Sequence, residues 1–346
     1  LRHTFTLGSI LVHLSGTPEA QELRKFKALL HRHINPHSPR AEGKEETFRP
    51  LIFGEALFDH FLDGTKVLGG APFNVAWHLQ GFKASPLIVT SVGQDASGTT
   101  IRERMADWGM DTSGLQIHPT RPTGRVTARL EGGEPHYEIE AGKAYDAISV
   151  EGLPALPTLG DIQLLYHGSL AVRERTSAEA LASLRETLDV PILLDVNLRA
   201  PWWSREELTG HLQAADWVKV NREEAGLLAR LPVHDDEELS VAASALREEH
   251  GIGTLVITLG ADGAMAMSGR DVHWQRVPAV SDFVDPVGAG DAFSAVLALG
   301  IHENWPLETT LRRATEFAAE LCRIRGATSE NRELYSRHVG RWAHAT

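Results

Sequence analysis

Asp285-Pro286-Val287-Gly288-Ala289-Gly290-Asp291-Ala292-Phe293 runs straight into an apolar, small-residue stretch that ends at Gly300. The two glycines let the backbone pass close to a ligand, and the stretch behind them reads as a helix. A helix that starts there offers unpaired N–H groups and its positive dipole end to a phosphate or a developing oxyanion. Asp291 falls in its first turn, where the dipole favours a carboxylate. It is a candidate base, with the amides of Gly288, Ala289 and Gly290 as holders of negative charge. An Asp capping a helix after a glycine turn accounts for the same residues. No G-x-x-x-x-G-K-[ST] occurs, and the nearest approach to G-x-G-x-x-G has Phe293 at the third glycine position, which disfavours a P-loop NTPase or a Rossmann dehydrogenase.

Before this turn, apolar runs at 51–58, 87–92, 162–167, 192–196, 217–220 and 254–258 read as strands. Helical stretches at 74–80, 98–108, 177–188, 205–214, 223–230 and 237–250 lie between them. The alternation predicts an α/β fold with a central, mostly parallel sheet flanked by helices. One interval departs from it: 123–130 and 136–140, separated by Glu131-Gly132-Gly133-Glu134-Pro135, read as a β-hairpin of the kind that covers a site.

A second glycine cluster, Gly69-Gly70-Ala71-Pro72-Phe73-Asn74-Val75-Ala76, follows Gly54-Glu55-Ala56-Leu57-Phe58-Asp59. On one continuous strand Glu55, Leu57 and Asp59 share a face, the glycine pair leaves room for a ligand, and Asn74 offers a donor and an acceptor. A polyol suits such groups; a Gly-Gly turn with an Asn cap explains them equally.

The chain has 346 residues, enough for two domains or one large domain with an insertion. Its 34 Lys and Arg against 46 Asp and Glu give a net charge of −12, which argues against nucleic acid as a partner. Cys322 is the sole cysteine, so no internal disulfide forms and a cytoplasmic setting fits best. No apolar run is long enough to span a bilayer and no signal-peptide pattern opens the chain, so no membrane role is expected. Residues 1–48 read as an extension, with a helix near 18–33 and a polar linker over 35–46. His31, His33 and His37 lack the Cys or acidic partners of a zinc module and read as a solvated basic segment.

The GGxxxNxA pattern of Gly69 to Ala76, together with DPVGAGDAF at Asp285 to Phe293, resembles the two signature regions of the ribokinase/PfkB carbohydrate kinase family. Intermediate pieces fall in family order: Val92-Gly93-Gln94-Asp95 with Gly98, Asp195-Val196-Asn197-Leu198-Arg199, Asn221-Arg222-Glu223-Glu224, and Thr258-Leu259-Gly260 with Gly263. The likeness spans about 50–330. It implies a ribokinase-like kinase domain over 49–335, with a small β lid near 60–68 and 123–140 and a C-terminal tail over 336–346. The activity implied is ATP-dependent phosphorylation of a sugar hydroxyl with Mg²⁺, Asp291 taking the hydroxyl proton.

The resemblance further implies Asp59, Gly69, Gly70, Asn74 and Arg199 as sugar-binding residues. It also implies Asn221, Thr258, Gly260, Gly263, Ala318, Cys322 and Gly326 on the nucleotide side. Asn221 and Glu224 would serve Mg²⁺ through phosphate or water, and Asp285 becomes a candidate for a monovalent cation such as K⁺. On a strand, Asp195, Asn197 and Arg199 alternate onto one face at its C-terminal end, with a structural salt bridge as the competing reading. Ala71-Pro72 after the glycine pair, and Gly54-Glu55, are similar to fructokinase-like members and favour fructose, phosphorylated at its 6-hydroxyl. The runner-up is 2-keto-3-deoxygluconate, whose acid group Tyr137, Arg129 and Arg199 would meet. Sugar and ATP are thus the expected partners, together with a homodimer, since family lids often pair. A non-catalytic sugar- or nucleotide-binding regulator is the alternative of another class, free to lose Asp291, which is intact here.

Overall fold

The computed structural model describes residues 2–7, 10–15, 47–131, 134–153, 155, 159–277 and 282–343. They divide into two units, Leu1–Glu46 and Thr47–Thr346. In the first, β1 (Arg2–Leu7) and β2 (Ile10–Ser15) pair antiparallel. The helix expected near 18–33, the linker over 35–46, and His31, His33 and His37 lie outside the described residues.

The second unit begins with β3 (Pro50–Phe53), β4 (Leu57–His60), β5 (Lys66–Gly69), α1 (Ala71–Gly81), β6 (Leu87–Gly93), α2 (Ala96–Trp108), β7 (Leu115–His118), β8 (Gly124–Glu131) and β9 (Glu134–Ile139). It continues through β10 (Leu164–His167), α3 (Arg175–Thr187), β11 (Ile192–Asp195), α4 (Arg205–Ala214), β12 (Trp217–Asn221), α5 (Arg222–Ala229), α6 (Asp236–His250) and β13 (Thr254–Thr258). It closes with β14 (Ala264–Ser268), β15 (Asp271–Gln275), α7 (Ala289–His302), α8 (Leu307–Leu321) and α9 (Arg332–Ala343).

Nine strands form one sheet in the order β15-β14-β13-β12-β11-β10-β3-β6-β7. It is parallel from β13 through β7, and β14 and β15 extend it antiparallel. Successive residues face opposite layers: Ile52, Tyr166, Leu193 and Val256 join the core shared with α1, α2, α7, α8 and α9. Leu51, Phe53, Leu165, Leu194, Leu255 and Ile257 join the core built with α3, α4, α5 and α6. Both faces being covered is why these strands read as unbroken apolar runs. A separate four-stranded sheet, β5-β4-β8-β9, carries the expected hairpin, with β8 and β9 antiparallel and β4 parallel to β8.

Three expectations are corrected. The run 51–58 is not one strand: after Gly54 N–H bonds Val89 O at 3.2 Å, the chain leaves the large sheet through Glu55 and Ala56 and re-enters the small one as β4. Glu55 therefore shares no strand face with Asp59. The stretch 195–199 is not strand either, because β11 ends at Asp195 and Asn197 turns into the left-handed region at φ 42°. Finally, 336–346 is not a tail through residue 343. In α9, Leu334, Tyr335, His338 and Trp342 form one buried stripe, and Trp342 O accepts from Arg313 Nη2 at 2.7 Å.

Candidate active site

The parallel strands end on one edge, and α7 begins there, as open α/β sheets place their ligands. Gly288 caps α7 at φ 81°, and a Cβ there would collide with Ala327, so only glycine fits. Ala292 N–H takes Gly288 O at 2.9 Å, which leaves the amides of Gly288, Ala289, Gly290 and Asp291 without intrahelical acceptors. Ala289 N–H closes the turn onto Pro286 O at 3.2 Å, so Gly288, Gly290 and Asp291 supply the amides open to an anion.

Asp291 Oδ2 accepts from Asn74 Nδ2 at 2.8 Å. Burial pushes the Asp291 carboxyl up to about 6, with Asp195 adding to the rise and Asn74, Lys219 and Arg199 opposing it. A carboxylate poised near neutrality suits proton abstraction from a hydroxyl. Asn74 is placed by α1, whose cap is Gly70 at φ 103°, where a Cβ would stand 2.6 Å from Glu55 O. Asp59 faces the same turn: a Cβ on Gly69 would lie 3.0 Å from its Oδ2. Burial raises the Asp59 carboxyl, against the pull of Arg199. Asp59, Gly69, Gly70, Asn74 and Asp291 are thus together.

Sequence reasoning missed what lies beneath. Lys219 Nζ donates to both oxygens of Asp195 at 2.9 Å. Ser294 Oγ donates to Asp195 Oδ2 at 2.6 Å, and Tyr166 OH does so at 3.3 Å. Lys219 lies between Val218 and Val220, which point to the opposite layer, so the strand period turns its ammonium toward α7. It ends 3.7 Å from the position of a Cβ on Gly290. A Lys inside the apolar strand 217–220 was the available signal.

Asn221 and Glu224 form a capping box at the start of α5: Glu224 N–H donates to Asn221 Oδ1 and Asn221 N–H to Glu224 Oε2, each at 2.8 Å. Glu224 is only 7% exposed, and its Oε1 accepts from Leu198 N–H at 2.7 Å. Both its oxygens thus serve backbone amides, an arrangement that ties the loop after β11 to α5. The helix start thus carries an Asn cap, and its Glu224 is not solvated. Arg199 is exposed, its Nη1 donates to Leu198 O at 3.4 Å, and its charge lowers the Glu55, Asp59 and Asp291 carboxyls; the salt bridge belongs to Asp195 instead.

At the turn before α7, Asp285 Oδ1 accepts from Val287 N–H and Oδ2 from Gly326 N–H, both at 3.0 Å, and Asp285 N–H bonds Cys322 O at 3.1 Å. Asp285, Cys322 and Gly326 are therefore one cluster, with Ala318 a turn earlier on α8. Thr258 ends β13, and Gly260 and Gly263 form the turn into β14, where Leu259 N–H meets Gly263 O at 2.8 Å. Among the described residues no three His, Cys, Asp or Glu side chains group to hold a metal ion. The side chains of Arg129 and Tyr137 lie outside the described residues. Of the adjacent Trp202 and Trp203, both half-buried, Trp202 takes the Arg173 guanidinium 4.3 Å above its ring.

A base set in an anion-holding helix start, at the carboxyl edge of a sheet that carries a second small sheet, belongs to the ribokinase-like class of α/β phosphotransferases. Residues 55–334 match the model of the pfkB family carbohydrate kinases. The chain belongs to this family. It is 26% identical over 309 residues to the probable chloroplastic fructokinase-6 of Arabidopsis thaliana, covering 80% of this chain and 78% of that one. The fructokinase of Vibrio cholerae O395, in its fructose-, ADP- and calcium-bound form, is 25% identical with a TM-score of 0.70, over 84% of this chain and 99% of that one. The 2-dehydro-3-deoxygluconokinase of Thermotoga maritima shares the fold at 17% identity, with a TM-score of 0.71 over 86% of this chain and all (100%) of that one. The protein is therefore an ATP-binding carbohydrate kinase. No helix among the described residues is long and apolar enough to cross a membrane.

Proposed function

We propose that this carbohydrate kinase is a fructokinase, moving the γ-phosphate of ATP to the 6-hydroxyl of fructose. The observation that carries the reading is the Asn74–Asp291 hydrogen bond, which sets a base from α7 against the glycine turn and Asp59. Asp59, Gly69, Gly70, Asn74 and Arg199 bind the sugar. Asp291 takes the hydroxyl proton, and the open amides at Gly288 and Gly290 hold the charge on the transferring group. Asn221, Thr258, Gly260, Gly263, Ala318, Cys322 and Gly326 line the nucleotide side. Mg²⁺ enters on the phosphates, with Asn221 and Glu224 serving it through phosphate or water. The small sheet acts as the lid that excludes water. A lone cysteine fits a cytoplasmic enzyme.

Arg199 supports a second reading, 2-keto-3-deoxygluconate kinase, because its charge reaches the Glu55 and Asp59 carboxyls and its guanidinium suits a substrate carboxylate. ADP release with MgATP across fructose, 2-keto-3-deoxygluconate, ribose, glucose and adenosine separates the two, with Asp291→Ala as control. Fructose-dependent turnover that Asp291→Ala abolishes supports the fructokinase reading, turnover with the keto acid alone supports the second, and silence on every substrate overturns both.

A further inference from the structure

Glu55 has no part in the site as assembled above, yet it is buried in the middle of it. It lies in the loop that leaves β3 and is 4% exposed. Its carbonyl faces the place a Gly70 Cβ would occupy, and its Cγ stands 3.3 Å from that place, directly under the glycine turn. The charges of Arg199, Asp291 and Arg173 all act on its carboxyl. Its Oε2 is buried and has no hydrogen-bond partner. One neighbour shares this condition: Asn74, 5% exposed, spends its amide N–H on Asp291 and leaves its buried Oδ1 unpartnered.

Two buried acceptors left empty beside a candidate base are costly unless a ligand fills them. Hydroxyl groups of a neutral sugar can donate to both. A substrate carboxylate placed there has no proton to give either oxygen. We propose that Glu55 is a specificity-determining residue of the sugar pocket, its Oε2 accepting a substrate hydroxyl together with Asn74 Oδ1, so that the site selects a neutral polyol over a sugar acid. This rests on the kinase reading above and deepens it.

The test measures binding and turnover separately. Fructose, ribose and 2-keto-3-deoxygluconate are titrated calorimetrically into the wild type, Glu55→Ala and Glu55→Gln, and MgATP-dependent turnover of the same compounds is followed in parallel. A neutral sugar should bind the wild type more tightly than the keto acid. Glu55→Ala should weaken that sugar about 10- to 100-fold in Kd and KM, with the KM for ATP unchanged. Glu55→Gln, which keeps an acceptor oxygen and the same volume, should recover most of the loss. Tighter binding of the keto acid, or Glu55→Ala with an unaltered sugar Kd, overturns the proposal. So does a uniform loss of sugar affinity, ATP affinity and melting temperature that Glu55→Gln does not repair. A wild type that binds a neutral sugar without phosphorylating it sinks the kinase reading instead, and the ratio of binding constants still decides the role of Glu55.

Discussion

Asn74 Nδ2 and Asp291 Oδ2 meet at 2.8 Å across 217 positions of sequence, and this bond joins the two glycine turns into one site. It stabilises the ionised carboxyl, so removing it must raise the Asp291 pKa above its present value of about 6. In Asn74→Leu the acid limb of the kcat–pH profile should move to higher pH. Glu55 titrates close by, so the comparison belongs in a Glu55→Gln background, where the limb reports one carboxyl. A limb that stays in place or moves down would show that Asp291 is not the titrating base.

Replacing Asp291 itself tests its rank. Asp291→Ala should lower kcat by about 10²- to 10⁴-fold, the range of general-base catalysis, with a much smaller change in sugar KM. Comparable losses in both constants would make Asp291 a binding group.

Burial raises Glu55 from 4.5 to about 7. The folded state therefore holds this proton where the unfolded chain has released it, and stability from this group falls as pH climbs from about 4.5 to 7. The size is on the order of 3 kcal/mol, from the shift itself. Urea unfolding at pH 5 and pH 8 should show the wild type losing more than Glu55→Gln over that interval. Equal pH dependence in the two proteins would place the Glu55 carboxyl in water.

The sequence was legible where one rule sufficed. Strands covered on both faces left continuous apolar runs, and the start of α7 was marked by Gly288 and Gly290. It was not legible where the backbone changed direction without leaving a pattern. Glu55 reads as strand because Gly54 alone interrupts 51–58, and its φ of 156° at the passage between the sheets is not disclosed by the residue type. The Asn-x-x-Glu spacing of Asn221 and Glu224 also makes a capping box, and only Leu198, 26 residues earlier, completes its tie. Lys219 needs a partner from a neighbouring strand and a cap from a distant helix, neither of which a single segment discloses.

Lys219 and Asp195 are nearly inaccessible, so removing one leaves the other as an uncompensated buried charge. Lys219→Met should cost about 3–5 kcal/mol in urea unfolding, and Asp195→Asn added to it should recover part of that. The double variant keeps the Ser294 and Tyr166 contacts as neutral hydrogen bonds. Additive losses in the two variants would mean the pair is not coupled.

Glu224 separates two roles that its sequence pattern confuses. As a tie, it holds the loop at Leu198 to the start of α5, and Glu224→Ala frees two partly buried amides at once. The loop carries Arg199 one residue further on, so its displacement reaches the sugar pocket. The expected result is lower stability, by about 1–3 kcal/mol for the unsatisfied groups, and a higher sugar KM. For a Glu224 that acts only as this tie, the Mg²⁺ concentration for half-maximal rate should stay where it is. A metal-binding Glu224 behaves otherwise: Glu224→Ala would raise the Mg²⁺ requirement many-fold while leaving the folded state and the sugar KM nearly untouched. Titrating Mg²⁺ at saturating ATP in both proteins, beside their urea curves, decides between the two.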